Sequence, residues 1–77
     1  MTDAQFARNV GNGFIAIKDH EPMNGDHYIR ADHITAIRPI WNIEEEWIGS
    51  DVFTLDGSKR RVNASFEQIM DAITNTV

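Results

Sequence analysis

At 77 residues the chain is expected to form one domain, residues 1–77. A core of this size already buries only about 60% of the surface that its unfolded chain exposes. The absence of cysteine excludes a disulfide framework and a thiolate metal site, so packing must hold the fold, alone or with the help of a second subunit. A formal net charge of −5 works against direct nucleic-acid binding, because it repels the phosphate backbone, and favours attraction to a basic protein surface.

Thr2 with Gln5 has the form of a capping box, which predicts one short turn of helix carrying Phe6 and Val10. The alternative is an N-terminal strand that folds back through Asn12-Gly13, a pair suited to a tight hairpin. Residues 14–18, Phe-Ile-Ala-Ile-Lys, are rich in β-formers and read as a strand. The uncharged apolar stretch over residues 10–17 is broken by glycines and falls far short of the ~20 residues of a membrane span. Met1-Thr2-Asp3 lacks a basic leader region, so the expected compartment is the cytoplasm, without membrane contact.

Residues 19–26 contain Pro22 and Asn24-Gly25 and read as a loop. A short extended run over residues 27–31 follows, then a turn at Ala31-Asp32-His33 and a strand from Ile34 to Arg38. Pro39 gives no amide hydrogen, so this strand either stops there or continues as an edge through Ile40, Trp41 and Ile43.

Asp56-Gly57 lies between two extended runs, residues 51–55 and 59–62, and predicts a hairpin with a two-residue type I′ turn. That register puts Phe53, Leu55 and Val62 on the core face and Val52, Thr54, Lys59 and Arg61 on the other. The core face then also carries Arg60, a misfit that a bulged loop would relieve by shifting the register. Ser65 followed by Gln68 is a second capping box, and Phe66, Ile69, Met70, Ile73 and Val77 form an apolar helical stripe behind it. The expected fold is α+β: about 4–5 antiparallel strands packed against a C-terminal amphipathic helix.

Chemistry finds little support in these residues. The three histidines each follow an aspartate, at Asp19-His20, Asp26-His27 and Asp32-His33, but none has the helical spacing of a metal site, so no metal or cofactor is expected. Ser50, Ser58 and Ser65 have turn and cap positions that account for them, and Glu44, Glu45 and Glu46 are consecutive instead of facing each other across a cleft. No catalytic residue is assigned and the chain is read as a non-enzyme.

The segment over residues 40–48 joins large apolar side chains to a carboxylate run. Tryptophan is enriched at binding hot spots and flanking acids steer towards a basic partner, so Trp41, Glu44, Glu45, Glu46 and Trp47 form the expected partner-binding set. Lys59-Arg60-Arg61 is a lesser candidate, able to pair with the acidic loop of a neighbouring copy or to guard a sheet edge.

Ala31-Asp32-His33-Ile34, the hairpin from Val52 to Val62 and the Ser-capped helix from Ser65 to Ile73 together resemble short bacterial and phage proteins of the flagellar FlbD type. The resemblance implies a similar small strand-plus-helix fold and a structural, self-associating role. The acidic segment over residues 41–47 and the N-terminal extension depart from it. The strand-turn-strand-helix ending is also similar to LytTR-type DNA-binding domains, a function that the net acidity argues against.

Two functions are therefore expected in competition. One is an acidic inhibitor or adaptor of the kind phages use against bacterial defence, anti-CRISPR-like, docking on a basic nucleic-acid-handling protein. The other is a homo-oligomeric, FlbD-like accessory protein, with a homodimer as its simplest form.

Overall fold

The computed structural model describes residues 6–75. Strands β1 (Ala7–Gly11), β2 (Phe14–Lys18) and β3 (Asp26–Arg30) make one antiparallel sheet in the order β1-β2-β3. Strands β4 (Ile34–Trp41), β5 (Trp47–Thr54) and β6 (Lys59–Val62) make a second, in the order β4-β5-β6, and helix α1 (Phe66–Thr74) follows. The α+β class agrees with expectation, but there are two sheets of three strands where one sheet was expected. The division falls at the β3–β4 connection. Between β3 and β4 the chain makes a turn of 3₁₀ helix, Ala31–His33, in place of a hairpin, so β4 pairs with β5 and leaves β3.

Backbone contacts join the sheets. Asp19 bridges to Val62, the His20 N–H donates to the Arg61 carbonyl at 3.1 Å, and the Asn63 N–H donates to the Lys18 carbonyl at 2.9 Å. At another corner the Leu55 N–H donates to the His33 carbonyl at 2.9 Å. The sheet edges are β1 and β3 in the first sheet and β4 and β6 in the second.

The N-terminal expectation is corrected. Thr2 and Gln5 lie outside the described residues, but Val10 belongs to β1, which pairs with β2 through a turn at Asn12 and Gly13. Both turn residues take positive φ, 58° and 83°, the conformation that asparagine and glycine adopt at least cost. The hairpin alternative therefore prevails. The β4 strand runs on through Pro39 to Trp41, as an edge strand allows.

The register of the β5–β6 hairpin is corrected too. Val52 lies opposite Arg60 and Ser50 opposite Val62, one residue away from the two-residue-turn register. Only Gly57 of the Asp56-Gly57 pair has positive φ, 86°, and the Thr54 N–H donates to the Ser58 carbonyl, so Leu55, Asp56 and Gly57 form a three-residue loop. Ser50, Val52 and Thr54 are consequently buried on the inner face with Val62, while Leu55 is 65% exposed. The cationic misfit at Arg60 stays on the inner face.

Ile15, Ile17, Ile29, Val52, Val62, Ala64, Ile69 and Ala72 form the core. The helix starts as its sequence requires: the Gln68 N–H donates to Ser65 Oγ at 3.1 Å, and the Ser65 N–H donates to Gln68 Oε1 at 2.8 Å. This places Ile69 at zero exposure, a burial worth roughly 2 kcal/mol. The outer part of its stripe is less covered. Phe66 and Met70 are half-exposed beside Ile34 and Ile37, and Val77 lies outside the described residues.

Candidate protein-binding site

The β4–β5 connection brings exposed apolar and acidic residues together at the surface. Trp41 and Trp47 stand opposite one another at the end of the ladder, just beyond an irregularity at Ile40. The five residues between them are organised by one side chain. Asn42 Oδ1 accepts from the Glu44 N–H at 2.8 Å and the Glu46 N–H at 2.9 Å, while Asn42 Nδ2 donates to Glu46 Oε1 at 3.1 Å. Backbone bonds from the Asn42 N–H to the Glu46 carbonyl and from the Glu45 N–H to the Asn42 carbonyl close the same turn. An asparagine does this well because its carbonyl stands in for a backbone acceptor.

Glu45 takes φ 64° in this turn, a left-handed conformation unfavourable for a residue with a Cβ. The strain is borne by a loop whose apolar side chains are not tucked away. Trp41 is 58% exposed and Ile43 97% exposed, and the three glutamates are exposed beside them. Trp47 is half-buried and anchors the base of the loop. Among the described residues none of the three carboxylates takes part in an ion pair.

All five residues of the expected partner-binding set thus fall in one hairpin end, with Trp41 and Trp47 differing in burial. Ile43, though part of the same segment, was not in that set and is the most exposed of its large apolar side chains. Its neighbours Asn42 and Glu44 carried the available signal, since a polar turn leaves an intervening apolar side chain nowhere to be buried.

The other sequence candidates are engaged in structural work. The three Asp-His neighbours do not act as units: Asp19 contacts His27, Asp26 contacts Arg8 and Lys18, and Asp32 contacts Arg30. Asp19 also accepts from the Glu21 N–H and from Asn24, closing the loop before β3. Its pKa is lowered to about 2, first by the His27 hydrogen bond and then by that of the Glu21 N–H. Among the described residues no group of three His, Cys, Asp or Glu side chains is arranged to hold a metal ion.

Ser50, expected in a turn, lies instead within β5, where it is buried and its Oγ donates to the Ala64 carbonyl at 2.7 Å, pinning the strand to the segment before the helix. Asp51 is fully buried, and Arg61 Nε approaches one carboxylate oxygen at 3.1 Å while Arg38 Nη2 approaches the other at 3.5 Å. Burial pushes the Asp51 pKa up, but the hydrogen bond and charge of Arg61, with help from Lys59 and Arg38, outweigh it and hold the pKa below the usual carboxylate value. The basic run is therefore divided, with Arg61 paired to Asp51 across the outer face and Arg60 directed inward.

No helix among the described residues is long and apolar enough to cross a membrane. Comparisons with protein-family models, with curated proteins and with solved structures find no match.

Proposed function

We propose that the chain is a non-enzymatic acidic binding module that docks on a basic protein through the Trp41–Trp47 loop, as an inhibitor or adaptor. The supporting observation is the preorganised apolar tip. Asn42 holds residues 42–46 in one conformation, and that conformation leaves Trp41 and Ile43 in water. A loop already ordered before binding gives up little entropy when a partner closes over it. The three carboxylates around the tip would steer it towards cationic surfaces, such as the groove of a nucleic-acid-handling enzyme. Interference with such an enzyme is what a phage anti-defence protein of the anti-CRISPR kind would achieve.

The test compares capture of proteins from a bacterial lysate by the wild-type chain and by two loop variants. Trp41→Ala, at an exposed position, should leave the melting temperature nearly unchanged and weaken capture of a basic protein by about 2 kcal/mol. Reversing Glu44, Glu45 and Glu46 to lysine should slow association and abolish its decline with salt, because peripheral charges act mainly on encounter. A partner captured equally well by both variants would overturn the proposal.

A further inference from the structure

A second surface lies at the far end of β5, in the mouth between the edge strand β3 and the β5–β6 hairpin. It is a groove of about 580 Å³ lined by Phe14, Tyr28, Arg30, His33, Leu55 and Arg60, with Ile29 and Thr54 at its floor and Asp56 at its rim. Arg60 points inward because its register partner is the buried Val52, and it is half-buried. No carboxylate of the described residues forms an ion pair with it. Arg30 lies over the Phe14 ring at 5.5 Å and meets Asp32 only through its Nε, at 3.3 Å. Asp56 stands at the rim, near enough to feel the Arg60 charge, but its carboxylate is engaged within its own loop, where it accepts from Thr54 Oγ1 at 2.7 Å and the Ser58 N–H at 2.9 Å. In a chain with a net charge of −5, this groove concentrates two arginines and a histidine around the exposed faces of Tyr28 and Leu55.

The acidic loop has the complementary character: three carboxylates around an indole and an isoleucine. The eight residues of β5 separate the two surfaces, a span of about 25 Å. A loop at one end of a paired strand cannot reach a groove at the other end of the same strand. We infer that the groove receives the Trp41–Trp47 loop of a second copy, so that the chain self-associates end to end, with the glutamates meeting Arg30 and Arg60 and the apolar tip meeting Tyr28 and Leu55. Two copies lying antiparallel close this contact reciprocally as a dimer, whereas a staggered arrangement propagates it. In either form the loop is covered, so self-association competes with the proposed capture of a basic partner. The inference rests on reading the loop as a docking element, and its test is separable from that of the proposed function.

Light scattering and sedimentation at low ionic strength should show association that rises with protein concentration and falls with salt. Arg60→Glu and the triple Glu44, Glu45, Glu46→Lys variant should each associate at least about tenfold more weakly than wild type. Mixing the two in equal amounts should restore association, since each supplies the charge that the other's altered surface needs. Arg60→Gln, which keeps most of the side-chain volume, should also weaken self-association and guards against misfolding of the charge reversal; melting curves of all variants identify the folded ones. Arg60→Glu retains an intact loop and should still capture a basic partner.

A wild-type chain that stays monomeric to about 1 mM at low salt would overturn the inference. So would folded Arg60 variants that associate like wild type, or a mixture that fails to recover. Pyrophosphate bound in an Arg60-dependent way by a monomer would also overturn it, making the groove a small-anion site.

Discussion

The two connections at the ends of β5 are built with the same device from different residues. In the β5–β6 turn, Asp56 accepts from Thr54 Oγ1 and the Ser58 N–H; in the β4–β5 loop, Asn42 accepts from the Glu44 and Glu46 N–H groups. Each also contains a residue in the left-handed region, Gly57 at φ 86° and Glu45 at φ 64°. The first turn meets that demand with glycine, whereas the second imposes it on a residue with a side chain. The turn at Gly57 has the residue a folding element needs. The loop at Glu45 carries strain while presenting carboxylates and exposed apolar groups, a pattern expected where a surface is shaped for a partner.

The sharpest way to break this comparison is to put a side chain at the first turn. Gly57→Val places a β-branched residue at positive φ and should destabilise the domain by about 1 to 3 kcal/mol, read as a lower melting temperature. An unchanged melting temperature would mean that the turn does not need glycine.

Next in size is Asn42→Ala, which removes the acceptor for two loop amides. Because the loop is exposed, water can replace those bonds, so stability should fall by only about 1 kcal/mol. Partner capture should fall by more than stability does, because the loop would then have to be ordered on binding. Equal losses in both would remove the distinction between the two connections. Glu45→Gly should move stability the other way, raising it by a few tenths to about 1 kcal/mol as the left-handed strain is relieved. A fall in stability would show that Glu45 earns its place in the fold through its side chain.

The smallest effect is expected in acid. The Asp56 pKa is lowered to about 2, first by the Thr54 hydroxyl and then by the Ser58 N–H. A carboxylate with a folded pKa below its ordinary value of 3.8 stabilises the fold above that pH, and its contribution disappears as pH falls from about 4 through 2. Asp19 titrates in the same window for its own reason, the His27 contact. Asp56→Asn should therefore flatten part of the acid loss and leave the shares due to Asp19 and Asp51. A melting profile with the wild-type slope between pH 4 and 2 would show that Asp56 adds nothing.

The sequence by itself was enough wherever a few neighbouring residues settle the structure. Ser65 and Gln68 specify a helix start because both hydrogen-bonding partners lie within one turn. Asp56-Gly57 specifies a chain reversal because glycine takes positive φ at no steric cost. The union of Trp41, Trp47 and the three glutamates marked one segment because no other part of the chain combines those groups.

The tertiary structure decided whatever depends on distant partners. Whether Asn12-Gly13 closes a hairpin or follows a helix turns on pairing with β2. A one-residue change in loop length reverses the faces of β5 and sends Val52 inward in place of Leu55, because side chains alternate along a strand. The single expected sheet became two because a 3₁₀ turn at Ala31–His33 separates β3 from β4. Arg60 kept its inward direction through the register change, and what makes it a groove residue is the free edge of β3 on the opposite wall. No pattern within residues 59–61 contains that strand, since the contact crosses some thirty positions of chain and only folding brings the two together.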